Sequence, residues 1–129
     1  MNVPLVVAGS LGLIGAAIHG VAGELLVVRK LSPEMLPSSR FGGPGMTKTM
    51  IHITWHMTTI AFVTVGASLL LSGTVLDGDT AQGIGLVAAG AATGFAALAV
   101  GMAPPRSLLR NPGPPLLTII AALAWLGAL

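Results

Sequence analysis

The chain has 129 residues, of which 53% are hydrophobic and 8% are charged, and its formal net charge is +2. Soluble domains carry about 25% charged residues, so the composition excludes an ordinary water-soluble globule, and its apolar content excludes a disordered chain. The sequence has no cysteine, which excludes disulfide scaffolds and thiolate metal sites. Its few basic residues do not form the clustered basic face that nucleic-acid binding requires.

Four apolar stretches are predicted to be transmembrane helices. They cover residues 3–28, 49–72, 81–103 and 114–129. A bilayer core needs about 20 apolar residues per helix, and backbone groups in lipid must satisfy their own hydrogen bonds. The fourth stretch is short, and we predict that it crosses with Pro114 and Pro115 in its first turn, where a missing N–H costs little. The expected fold is all-α, an antiparallel four-helix bundle of an integral membrane protein, with a single domain over 1–129.

The positions of the basic residues predict the orientation of the chain. All six lie in the first and third connections, 29–48 and 104–113: Arg29, Lys30, Arg40, Lys48, Arg106 and Arg110. Cytoplasmic loops carry an excess of Lys and Arg, so we expect both connections in the cytoplasm and both termini outside. The expected location is the plasma (inner) membrane of a bacterium, with the lipid bilayer as the first partner.

Small residues are predicted to form the contacts between helices, because lipid supplies no hydrophobic drive for helix association. The candidate packing glycines recur at four-residue spacing, alone or with Ala16 and His19 between them: Gly12, Gly15, Gly20 and Gly23 in the first span, and Gly90 and Gly94 in the third. We expect them to pack within one bundle. The alternative is that the third helix docks against another membrane subunit or a second copy of this chain.

Four ionisable residues lie inside the first two predicted spans: His19, Glu24, His52 and His56. Such groups are costly in a membrane, and they usually face the protein interior and carry function. Because the two spans are consecutive and antiparallel, the helical rise places Glu24 level with His52, and His19 nearly level with His56. His52 and His56 are four residues apart and share a helix face, so the pair has the spacing that chelates a metal.

His19 is the expected partner of the histidine pair. It lies five residues from Glu24, which is about 140° around a regular α-helix, so the two side chains cannot both point at one atom. Glu24 is then expected to hold a ring N–H of a ligating histidine or to extend to the cytoplasmic interface.

The ligand that this cluster would take is left open by the sequence. Imidazole, with a carboxylate, suits Zn, Cu, Fe or Ni. A b-type haem would suit His19 and one histidine of the second helix, because Gly15 and Gly23 leave room for a flat ring. Hydrogen bonding between helices and a proton or substrate pathway are the alternatives. The sequence shows neither paired carboxylates nor an H-E-x-x-H motif, so we name no catalytic residue and favour a protein that is not an enzyme.

The segment Trp55–Thr59, with His19 and the Gly23-Glu24 pair before it, resembles a group of small, uncharacterised four-span bacterial membrane proteins. In that group the first helix ends in a His…Gly-Glu signature and the second carries Trp-His-x-x-Thr. The resemblance covers mainly the first two helices, and the apolar run Leu25–Val28 departs from it. It implies four spans and a shared histidine site, and it implies no known activity.

The sequence is therefore compatible with three functions. The first is an accessory or binding protein whose histidine cluster holds haem or a transition metal near the cytoplasmic leaflet. The second is a scaffold or assembly subunit of a larger membrane complex with structural histidines, which the short fourth helix and smooth third helix favour. The third is a small transporter, because four spans with a carboxylate in the first resemble the small multidrug-resistance exporters, although Glu24 lies shallow for that role.

Overall fold

The structure is a computed structural model that describes residues 1–40, 42–107 and 110–129. Over these residues the fold is all-α, and its one bridge of β type joins Ser39 and Gly42. The first helical segment contains α1 (Val3–Ala17), a π-helical turn (Ile18–Ala22), α2 (Gly23–Leu26) and a 3-10 turn (Val28–Lys30). The later helices are α3 (Pro44–Thr74), α4 (Gly78–Met102) and α5 (Gly113–Ala128).

The helices have the length and composition of membrane spans. The segments Val3–Lys30, Pro44–Thr74 and Gly78–Met102 are each long and apolar enough to cross a bilayer, and Gly113–Ala128 is a shorter apolar helix. Bulky apolar side chains lie on the outside, such as Val87 at 75% exposed, as expected of a surface solvated by lipid. These helices fit a small membrane protein, and a full crossing by α5 stays a prediction.

The second span begins earlier than its hydropathy indicates. α3 starts at Pro44 rather than at residue 49, because proline at a first helical position is already set for helix geometry. The Thr47 amide donates to Gly43 O at 3.3 Å and the Thr49 hydroxyl to Gly45 O at 3.1 Å, so polar residues extend the helix. Residue 41 of the predicted loop 29–48 and residues 108 and 109 of the predicted loop 104–113 lie outside the described residues.

The chain divides into two compact units. The alanine–glycine unit contains Met1–Gly15 and Phe62–Leu129, and the histidine unit contains Ala16–Ala61. α3 contributes residues to both units.

In the alanine–glycine unit, α1 and the second half of α3 pack antiparallel with their backbones in contact. A Cβ atom built on Gly66 would lie 2.9 Å from the backbone nitrogen of Leu13, and one built on Gly9 would lie 2.6 Å from that of Leu70. Real Cβ atoms do not approach backbone so closely, so glycine is required at both positions. Gly12 also lies against Gly66, with 3.1 Å between a built Cβ and the Gly66 Cα.

α4 and α5 complete an antiparallel bundle in this unit, and its core consists of small side chains. Seven of the ten core residues are alanine: Leu5, Ala8, Leu69, Ala88, Ala89, Ala92, Ala96, Ile120, Ala121 and Ala124. The Trp125 indole N–H donates to Thr93 Oγ1 at 2.9 Å, which joins α5 to α4. The tight turn between α3 and α4 uses Gly78 at φ +58°, a conformation that glycine adopts without strain.

The candidate packing glycines divide into two groups. Gly15 lies against Leu116 in the alanine–glycine unit, while Gly20 and Gly23 lie against side chains of α3 in the histidine unit. A Cβ atom built on Gly90 or Gly94 meets nothing within 4 Å among the described residues. A side chain at either position would therefore make no close contact with the described residues.

Candidate metal centre

The helical path of the first span is interrupted beside His19 by the π-helical turn Ile18–Ala22. In a regular α-helix the Gly23 amide would bond to His19 O, but here it donates to Ile18 O. The Trp55 indole N–H donates to His19 O instead, at 3.1 Å. A side chain of α3 therefore bonds to the backbone of the π-helical turn.

The same turn changes which residues share a face. Residues five apart lie nearly in line across a turn with i→i+5 hydrogen bonds, so His19 and Glu24 are both directed at α3. The expected 140° separation assumed a regular α-helix, and the π-helical turn between the two residues departs from that period. The two side chains contact different residues of α3, His19 contacting Thr59 and Glu24 the histidine pair.

His19 lies against Trp55 and Thr59 in the histidine unit. Its ring stacks on the Trp55 indole, with centroids 4.2 Å apart and planes inclined by 10°, and its Nδ1 lies 3.0 Å from Thr59 Oγ1. The Thr59 hydroxyl donates to Trp55 O at 3.1 Å, so it accepts from His19, which assigns the proton to Nδ1. These contacts join the first and second spans through polar groups.

Glu24, rather than His19, makes the close approach to the histidine pair of α3. Its Oε2 lies 3.2 Å from His52 Nε2 and 3.5 Å from His56 Nε2. The two imidazole rings lie 4.9 Å apart at 44°. Glu24 was expected to hold a ring N–H of a ligating histidine or to extend to the cytoplasmic interface, and its Oε2 lies within ion-pair distance of both ring nitrogens.

The Glu24 carboxylate is buried behind two half-exposed histidines. Its side chain is 13% exposed, against 47% for each histidine. Oε2 is fully buried, and it accepts no hydrogen bond from the residues that the structure describes. The ring nitrogens of His52 and His56 lie within ion-pair distance of this oxygen. A buried acceptor without a donor costs about 1 to 3 kcal/mol, and more when charged.

Two of the three separations between the candidate ligand atoms are close to those around a small metal ion. One oxygen and two nitrogens, from Glu24, His52 and His56, all lie within 4.8 Å of one another. Tetrahedral ligands at about 2.0 to 2.1 Å from zinc lie about 3.4 Å apart, close to the two oxygen–nitrogen distances of 3.2 and 3.5 Å. A cation between these atoms would also satisfy the orphaned oxygen, so the group fits a metal.

The room foreseen for a haem beside His19 is occupied by protein. A Cβ atom on Gly23 would overlap Cζ2 of the Trp55 indole. The indole therefore fills the space beside Gly23 that was expected to hold a haem. The His19 ring stacks on the same indole. This arrangement favours a bare metal ion over a porphyrin between His19 and the α3 histidines.

Sequence reasoning missed the roles of Trp55, Thr59 and Arg29 in this cluster. Arg29 Nε lies 3.4 Å from Glu24 Oε1. Spacing gave no signal for this contact, because residues five apart lie about 140° around a regular α-helix from each other.

Comparison of the chain with known proteins gave no match to a family model, to a curated protein or to a solved structure. The resemblance to the small four-span bacterial proteins accordingly stays a prediction. The chain is a small helical membrane protein with a Glu/His/His group able to bind a metal.

Proposed function

We propose that this protein binds one divalent transition-metal ion through Glu24, His52 and His56, as an accessory or metal-binding protein of the membrane. The observation that carries the proposal is the convergence of the two Nε2 atoms on the buried, unbonded Oε2 of Glu24. A structural ion pair would be expected to direct an N–H at that oxygen. One carboxylate oxygen and two imidazole nitrogens that lie within 4.8 Å of one another form a group that could hold a metal ion.

The donor set narrows the class of ion. Two imidazoles and one carboxylate occur in catalytic zinc sites and in non-haem iron(II) sites, each with positions open to water or substrate. Here the half-exposed faces of His52 and His56 provide the open side. The proposed occupant is Zn(II) or Fe(II), with an exogenous ligand completing its coordination.

Cobalt(II) titration of the purified protein in detergent tests the proposal, because Co(II) occupies zinc sites and gives visible bands when four-coordinate. We expect one equivalent to bind, and His52→Ala, His56→Ala and Glu24→Gln to remove the bands. His19→Gln is the matched control, since it replaces a histidine of the same unit outside the ligand set and retains a group that can bond to Thr59. It should leave the titration unchanged.

Retention of stoichiometric binding in both histidine variants would refute the proposed site. A Soret band in the protein as isolated, lost in His19→Gln, would instead support the haem alternative.

The proposed orientation places the metal site at the cytoplasmic side of the membrane. The segment between the first two spans carries four of the six basic residues, Arg29, Lys30, Arg40 and Lys48, and positive loops favour the cytoplasm. Alkaline phosphatase fused after Leu129 should be active and a green fluorescent protein at the same site dark. The opposite pair of results would invert the topology.

The exposed face of α4 supports a second candidate function, as a scaffold or assembly subunit. Beyond the first residue of α4, four of its glycines have open space at their Cβ positions: Gly83, Gly90, Gly94 and Gly101. Their spacings of seven, four and seven residues place them within about 40° of one another on the helix. Smooth faces of this kind allow close helix association in lipid. Gly90→Leu should reduce oligomer size in mild detergent if α4 contacts a second copy, whereas loss of a co-purifying subunit would identify a different partner.

A further inference from the structure

The two oxygens of Glu24 have different partners. Oε2 faces His52 and His56, whereas Oε1 lies 3.4 Å from the Arg29 guanidinium Nε. The arginine side chain is 68% exposed and the glutamate 13%. The Arg29 side chain therefore extends from the surface to Oε1, the carboxylate oxygen that does not face the histidines.

A second irregularity of the first span brings Arg29 to this position. α2 ends at Leu26, the next residue Val27 has non-helical φ of −123° and ψ of −67°, and a 3-10 turn over Val28–Lys30 follows. Val28 is 1% exposed, so the turn is anchored by a buried side chain. In a continuous α-helix Arg29 would lie about 140° around from Glu24, and the break removes that separation.

We propose that Arg29 is a positioning residue that keeps the Glu24 carboxylate monodentate, so that the site takes small four-coordinate cations rather than larger ions. This inference rests on the proposed metal site. Zn(II) and Co(II) are satisfied by one carboxylate oxygen and two imidazoles plus an outside ligand. Mn(II) and Ca(II) prefer more oxygen ligands, and bidentate carboxylates supply them. Because Arg29 pairs with Oε1, only Oε2 is available to bind the ion.

The test compares Co(II) and Mn(II) affinities in wild type, Arg29→Gln and Arg29→Lys. Because both ions carry the same charge, the electrostatic effect of removing a cation cancels in the ratio of their affinities, and the ratio reports on carboxylate geometry. We expect Arg29→Gln to lower the preference for Co(II) by about tenfold, in the range found when supporting partners of ligands are removed. Its Co(II) bands should weaken as the carboxylate becomes bidentate and the coordination number rises. Arg29→Lys retains a cation for Oε1 and should keep most of the preference.

Lys30→Gln is the matched control, because it removes the same charge from the neighbouring exposed residue. Its affinity ratio and Co(II) spectrum should equal those of wild type. An unchanged ratio and spectrum in Arg29→Gln, or equal changes in Arg29→Gln and Lys30→Gln, would overturn the positioning role while leaving the metal site intact. Failure of the proposed function is distinguishable, because wild type itself would then bind neither ion.

Discussion

The alanine–glycine unit and the histidine unit hold helices together in different ways. In the first, the backbones of α1 and α3 meet at Gly9 and Gly66, and the core is mostly alanine. In the second, the His19 imidazole stacks on the Trp55 indole and bonds to the Thr59 hydroxyl, and the Glu24 carboxylate pairs with the α3 histidines. The first depends on the absence of side chains and the second on their chemistry.

Helix regularity follows the same division. The helical turns of α1 in the alanine–glycine unit are regular, whereas the histidine unit contains the π-helical turn and the break at Val27. Close backbone packing requires small residues at a constant spacing, so a local irregularity would separate the surfaces. Polar side chains of different length need particular directions instead, and π-turns often occur where function demands such directions. The comparison indicates that the backbone irregularities of the histidine unit serve to direct its polar side chains toward α3.

The largest stability effect is expected from a methyl group at the backbone contact of the alanine–glycine unit. Gly66→Ala places a Cβ 2.9 Å from Leu13 N, and overpacking of this kind costs about 1 to 3 kcal/mol. Gly90→Ala is the matched control, because its Cβ meets nothing within 4 Å. Alanine there should be neutral or stabilising by up to about 1 kcal/mol through helix propensity. Unfolding in detergent with increasing denaturant would measure both, and equal effects would contradict the contact.

Metal binding should stabilise the protein through the histidine unit. At a free metal concentration of one hundred times Kd, binding contributes about 2.7 kcal/mol. We expect Zn(II) to raise the Tm of the wild type and EDTA to reverse the increase. Glu24→Gln should abolish the Zn(II) response, because its amide is a weaker ligand than a carboxylate, while Gly90→Ala should retain it. A rise of Tm in Glu24→Gln equal to that of wild type would mean that zinc binds elsewhere.

Much of the fold could be predicted because hydropathy and length are local properties of the sequence. The apolar stretches, the all-α class and the packing role of Gly12 and Gly23 required no knowledge of distant contacts. The π-helical turn could not be predicted in the same way, since it depends on the Trp55 indole reaching His19 O from another helix.

The four ionisable residues selected from the sequence include His19 as well as the three that the structure groups together, Glu24, His52 and His56. The cost of ionisable groups in a membrane identified Glu24, His52 and His56. Their arrangement depended on the helix period, and a regular period placed Glu24 away from the pair. Arg29 was interpreted only through its charge, as a marker of topology, because its contact with Glu24 requires the break after α2.

The polar contact between His19 and Thr59 should make a smaller contribution than either effect above. His19→Ala and Thr59→Val each remove one partner of the 3.0 Å contact. Hydrogen bonds between membrane helices average about 0.6 kcal/mol and reach about 1.7 kcal/mol in double-mutant cycles, and we expect a coupling near 1 kcal/mol because the imidazole also stacks on Trp55. Thr58→Val is the control, since the Thr58 hydroxyl donates to Thr54 O within its own helix. A cycle of His19→Ala with Thr58→Val should show no coupling.

The smallest effect on stability is expected from the hydrogen bond between Trp125 of α5 and Thr93 of α4 in the alanine–glycine unit. The Trp125 indole N–H donates to Thr93 Oγ1, and this tryptophan is 38% exposed. Thr93→Val removes the acceptor without changing the side-chain shape, and we expect a loss of about 0.6 kcal/mol. Trp125→Phe combined with Thr93→Val gives the coupling from denaturant unfolding. Tryptophan at a membrane interface has water to replace a lost partner, so a coupling near zero would place Trp125 at the headgroups, while the expected value places its N–H in the apolar region.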